Sequence, residues 1–95
     1  MILNFDQHFY EVPAGSTIYA EKSVIIIRGA FGIPYERSDI ETRTVVLTVD
    51  MPRSAQTLGE QIAEGLELGV TAMSITQTKE WDAECPFGYK VESYS

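Results

Sequence analysis

The spacing of apolar residues predicts strands before and after a single helix. Residues 2–12 alternate loosely, with Leu3, Phe5 and Gln7 on one side and Asn4, Asp6 and His8 on the other, which predicts a first strand. Pro13-Ala14-Gly15-Ser16 supplies turn chemistry. Residues 17–28, built around Val24-Ile25-Ile26-Ile27, predict a second strand that pairs with the first as an antiparallel hairpin. Residues 29–39 have no period and predict a loop of about ten residues, at the upper end of ordinary connections and for that reason more often functional. Phe31 and Tyr35 within it either tuck over the core or offer aromatic contact area.

Residues 44–49 are β-branched almost throughout and nearly continuously apolar, so they predict a central strand with both faces at least partly covered. Pro52 cannot donate to a sheet ladder, so that strand ends by about Asp50. Ser54 is placed to cap a helix. At 100° per residue Ala55, Leu58, Ile62 and Leu66 share one arc, and Gly69 stands just past the end as a C-terminal cap. Gly59 and Gly65 flank the arc. Each costs roughly 1 kcal/mol against alanine in a helix interior, a cost that makes sense if the helix axis lies close to the sheet.

Residues 70–78 alternate again, Met73 and Ile75 against Ala72, Ser74 and Thr76. Residues 79–88 predict a second connection, and 89–94 a short closing strand with Tyr89 and Val91 facing inward and Lys90 and Glu92 outward. The order is β-β-β-α-β-β. Strands grouped on either side of one helix predict an α+β fold: a single small domain over residues 1–95, with a mainly antiparallel sheet of about five strands packed against the helix.

Composition narrows the class. The chain has 95 residues, 44% of them hydrophobic, enough for one modest core and not for a second domain. The longest apolar run is far too short to span a bilayer as a helix, so no membrane association is expected. The first residues lack the basic start and apolar stretch of a secretory signal. A cytoplasmic location, in a cell or in an infected host, is the expectation.

Candidate chemistry is sparse. One cysteine, Cys85, allows no internal disulfide, and with one histidine, His8, it cannot build a Cys/His zinc cage. An EF-hand spacing is absent. Cys85 and His8 as a nucleophile–base pair lack a third orienting residue, and the acids around Cys85 would raise its thiol pKa. Gly29-Ala30-Phe31-Gly32 has neither the Gly-Lys-Ser/Thr ending nor the helix of a phosphate loop. No cofactor, no metal and no catalytic activity are expected.

Charge adds the one positive indication. Fourteen acids against seven bases give a net charge of −7, the wrong sign for binding nucleic-acid phosphates directly and the right sign for a basic protein partner. Six of those fourteen acids fall in two short stretches. Glu60, Glu64 and Glu67 are spaced i, i+4, i+7, one stripe along the helix, with no Lys or Arg from residue 54 to 69. Glu80, Asp82 and Glu84 alternate with Trp81 and Cys85 and, if extended, line one face at roughly 6–7 Å intervals.

Spaced carboxylates of this kind imitate a nucleic-acid backbone, and Trp81 with Phe31 and Tyr35 would add aromatic anchors. The expected function is a small acidic protein-binding module, a nucleic-acid mimic or inhibitor of the type phages encode, that occupies a basic surface. The partner-binding candidates are Glu60, Glu64, Glu67, Glu80, Trp81, Asp82, Glu84, Phe31 and Tyr35. A solvated helix face and a charged strand edge that blocks aggregation would give the same pattern. Two alternatives stand beside this. One is an assembly subunit forming a homo-oligomer through sheet edges and the aromatics at 81–94. The other is a small-molecule binder walled by the 31–35 and 79–88 segments, with Tyr35, Arg37 and Asp39 as polar groups.

Overall fold

Two tight turns reorganise the first third of the chain. In the computed structural model, which describes residues 1–32, 43–77 and 88–94, the expected first strand doubles back at Asp6-Gln7. Both residues have positive φ, 49° and 71°, the backbone that a two-residue hairpin needs to match strand twist. The result is β1 (Ile2–Phe5) paired antiparallel with β2 (His8–Glu11). Residues 17–28 likewise split, at Lys22 with φ 53°, into β3 (Thr17–Glu21) and β4 (Val24–Arg28). The expected pairing of residues 2–12 with 17–28 is therefore replaced by two local hairpins. Neither turn contains glycine or the Asn-Gly signal; only the short polar runs Asp6-Gln7-His8 and Glu21-Lys22-Ser23 mark them.

The remaining strands are β5 (Phe31–Gly32), β6 (Thr44–Thr48), β7 (Ala72–Gln77) and β8 (Tyr89–Tyr94), with helix α1 (Pro52–Leu68) between β6 and β7. They form a five-stranded sheet ordered β5-β2-β1-β7-β8 and a three-stranded sheet ordered β3-β4-β6. All pairings are antiparallel except β1 with β7, which is parallel. The molecule is thus a small α+β domain. Its mixed five-stranded sheet is joined by a second sheet that the sequence did not separate.

The apolar run at 44–49 is not central. Strand β6 lies at the edge of the smaller sheet among the described residues. Val45, Leu47 and Val49 are buried, while Val46 is 56% exposed. β-branched residues suit an exposed strand face as well as a covered one, so composition alone could not separate the two. The central strand is β4, with Ile25 and Ile27 fully buried.

One core joins both sheets and the helix. Leu3 and Phe5 of β1, Ile25 and Ile27 of β4, Val45 and Leu47 of β6, Leu58 and Ile62 of α1, and Met73 and Ile75 of β7 belong to a single buried cluster. Each such side chain contributes roughly 1.5–3 kcal/mol on leaving water. Tyr89 joins it from β8, its ring centroid 6.5 Å from that of Phe5.

The helix follows its expected arc at Ala55, Leu58 and Ile62, all buried. Its start differs. Met51 is the N-terminal cap residue, with extended backbone and no side-chain bond, and Pro52 opens the first turn, where its missing N–H has no cost. Ser54 therefore sits inside the helix rather than at its cap, fully buried, with its Oγ lacking a hydrogen-bond partner. Arg53 lies inside the helix too, so the helix carries one cation at its N-terminal end. Gly69 ends it in the left-handed conformation, φ 76°. Its N–H donates to Leu66 O at 3.2 Å and that of Val70 to Gly65 O at 3.1 Å, a Schellman motif.

Candidate functional site: the cleft between α1 and β3

Helix α1 runs alongside β3 and β4, and a cleft opens between it and β3. One stretch, about 480 Å³, is lined by Ile18, Tyr19, Ala20 and Lys22 on the hairpin side and by Pro52, Gln56, Gly59, Glu60 and Ala63 on the helix. A second, about 250 Å³, continues past the 14–16 turn to Leu66 and Glu67. Ile18 and Ala63 belong to both stretches, so the two form one groove along the strand.

The small side chains of Gly59 and Ala63 keep this flank of the helix low, which leaves the groove its room. Its lining mixes apolar side chains, Ile18, Ala20 and Ala63, with the polar Lys22, Gln56 and Glu60. The charged groups along it are few: Lys22 and Glu60 in one stretch, Glu67 in the other. Such a lining binds and orients through apolar contact and charge.

The carboxylate stripe of the helix borders this groove. Glu60, Glu64 and Glu67 are all exposed. Glu60 and Glu67 line the groove, whereas Glu64 lies about 40° farther round the helix and lines neither stretch. The ion pairs among the described residues are Lys90 with Glu92 at 3.0 Å and the Met1 amine with Glu11 at 3.5 Å. None reaches the three helix glutamates. Glu67 also stands in a last turn without a basic residue, where the helix dipole disfavours it.

The other expected contact residues divide. Phe31 is half-buried in β5, with the Arg43 guanidinium 5.5 Å over its ring, so its face is covered by a cation of the same chain. Tyr35, Glu80, Trp81, Asp82 and Glu84 lie outside the described residues, as does Cys85. Among the described residues no group of three or more His, Cys, Asp or Glu side chains is arranged to hold a metal ion. No helix among them is long and apolar enough to cross a membrane.

Three tyrosines, Tyr89, Tyr10 and Tyr94, hold their protons above the ordinary range, Tyr94 through its hydrogen bond to Glu92. Burial pushes the Tyr89 hydroxyl above its ordinary range, and the negative charge of Asp50 adds to the effect. Burial likewise raises Tyr10. On the exposed β8 edge, Tyr94 donates a hydrogen bond to Glu92. That bond and Lys90 hold the Glu92 carboxyl below its usual value.

Ile18, Tyr19, Ala20, Lys22, Gln56 and Ala63 are groove residues that the sequence did not single out. Their only signal was indirect, the helix glycines that imply close approach to a sheet. Comparison of the chain with protein-family models, with curated proteins and with solved structures gives no match.

Proposed function

We propose that this protein is a small acidic binding module that occupies a basic surface of a partner protein, one of the kind that also handles nucleic acid. The observation that carries this reading is the row Glu60, Glu64 and Glu67, exposed on α1 and without an ion-pair partner among the described residues. A net charge of −7 adds long-range attraction to a cationic partner and repels nucleic acid itself. Glu67 is the telling member, because at a helix C-terminus its charge lowers stability by about 0.3–1 kcal/mol. Retaining it there suits a surface meant to meet positive charge. The role assigned is binding, as an inhibitor or nucleic-acid mimic, and not catalysis.

The test is capture of partners from a cell lysate on immobilised protein, with elution by salt and by excess duplex DNA. Partners should leave at moderate salt and compete with DNA. The triple variant Glu60→Gln, Glu64→Gln, Glu67→Gln should fold at least as stably and lose them. Equal capture by wild type and variant would remove the acidic surface from the explanation.

Self-assembly through a sheet edge is the second reading. It draws on exposed Val46 along edge strand β6, and a monomeric mass by light scattering at high concentration would dismiss it.

A further inference from the structure

The polarity of the smaller sheet follows from two hydrogen bonds at its ends. Val49 N–H donates to Ser23 O at 2.9 Å, and Gly29 N–H to Arg43 O at 2.6 Å. The N–H and C=O of one strand residue point to the same side, and the side alternates from residue to residue. Ser23, Ile25, Ile27 and Gly29 thus direct their groups to β6, and Val24, Ile26 and Arg28 direct theirs to β3. The register pairs those three with Glu21, Tyr19 and Thr17. Ile18 and Ala20 are left pointing away from the sheet. No hydrogen bond reaches their outward N–H and C=O groups among the described residues. These same two residues line the groove beside α1.

We propose that the free edge of β3 accepts an extended, lysine- or arginine-bearing segment of a partner protein as a fourth strand of the smaller sheet, seated in the groove against α1. Four unpaired backbone groups fix the incoming chain as a strand and set its register. Alternate side chains of that strand then face the groove, where Ile18 and Ala63 offer apolar contact and two carboxylates, Glu60 and Glu67, outnumber the single cation Lys22. The groove does not favour a second copy of this chain, which would bring its own glutamates and a further charge of −7 into the same place. Charge complementarity selects a basic strand. This inference rests on the acidic-surface reading for the sign of the partner, and on the sheet polarity for its conformation.

The probe is a displayed library of random decapeptides selected against the whole protein, from which the tightest peptide is synthesised. Selected sequences should carry Lys or Arg at alternate positions. Binding should shift the amide resonances of Ile18 and Ala20 and slow their hydrogen exchange. Two versions of the peptide, N-methylated at alternate residues and offset from each other by one, should then differ. The one whose methyls face β3 should lose affinity by about tenfold or more, since more than one backbone hydrogen bond is removed. The other should keep its affinity.

Equal effects of the two methylation patterns would overturn strand addition. So would failure to enrich any peptide, or a dimer whose contact protects Ile18 and Ala20. The acidic-surface reading fails separately. If non-basic peptides bind at the β3 edge with no response to Glu60→Gln and Glu67→Gln, the strand edge stands and the charge argument falls. Sensitivity to those two substitutions with indifference to methylation gives the reverse.

Discussion

Ile25 of β4 lies directly under Gly59 of α1: a Cβ built on the glycine would stand 3.8 Å from the isoleucine Cγ2, an ordinary van der Waals separation. The helix is therefore close to the sheet at this point, but not so close that only glycine fits. Gly59→Ala should raise stability by about 0.5–1 kcal/mol, the helix-propensity difference with no clash to offset it. Gly65 is different. A Cβ there would collide with the Met73 methyl and stand 3.2 Å from Val70 Cγ2, so Gly65→Ala should gain less than Gly59→Ala or lose stability. Urea unfolding of the two variants separates them, and equal gains would contradict the packing described.

Ser54 offers a test of where the helix begins. A serine at the cap would lose about 0.5–2 kcal/mol on replacement by alanine. Buried in the first turn with an unpartnered Oγ, it should instead be neutral or stabilising as Ser54→Ala, because a desolvated hydroxyl without a partner is removed. Thermal unfolding gives the sign directly.

The Asp6-Gln7 turn holds two non-glycine residues at positive φ. Left-handed backbone costs an L-residue roughly 1–2 kcal/mol, with Asp and Asn better suited than Gln. The change of Asp6→Asn with Gln7→Gly restores the preferred two-residue hairpin sequence. Part of the relief is offset by the extra freedom of glycine in the unfolded chain. A net gain of up to about 1 kcal/mol is expected, read from the denaturation midpoint, and a loss would mean that the turn is of another type.

The raised tyrosines predict an alkaline limit. Because Tyr89 and Tyr10 hold their protons more tightly when folded, their contribution is fully present below the unfolded tyrosine value, about 10. It is lost as pH rises through their higher folded values. Stability should fall above about pH 10. Tyr89→Phe combined with Tyr10→Phe should flatten that fall, and an unchanged slope would show that neither hydroxyl is desolvated.

Spacing along the chain accounts for the parts of this protein that local chemistry governs. Ala55, Leu58 and Ile62 fix the buried arc of the helix because their spacing matches its turn. Gly69 ends it because glycine tolerates left-handed backbone. Met73 with Ile75, and Tyr89 with Val91, set the inward faces of the last two strands by simple alternation. The exposure of Glu60, Glu64 and Glu67 was legible for the same reason. Chain reversals and distant partners set the rest. The turns at Asp6-Gln7 and Lys22-Ser23 contain neither glycine nor the Asn-Gly or Asp-Gly pair that marks a two-residue hairpin, so two expected strands became two hairpins. The strand pairing then placed β4 in the centre and β6 at an edge, although Val46 and Ile26 look alike in sequence. The groove beside Ile18 and Ala20 exists only because α1 crosses β3 there. A free strand edge belongs to pairing between elements, and no spacing of side chains along one element can encode it.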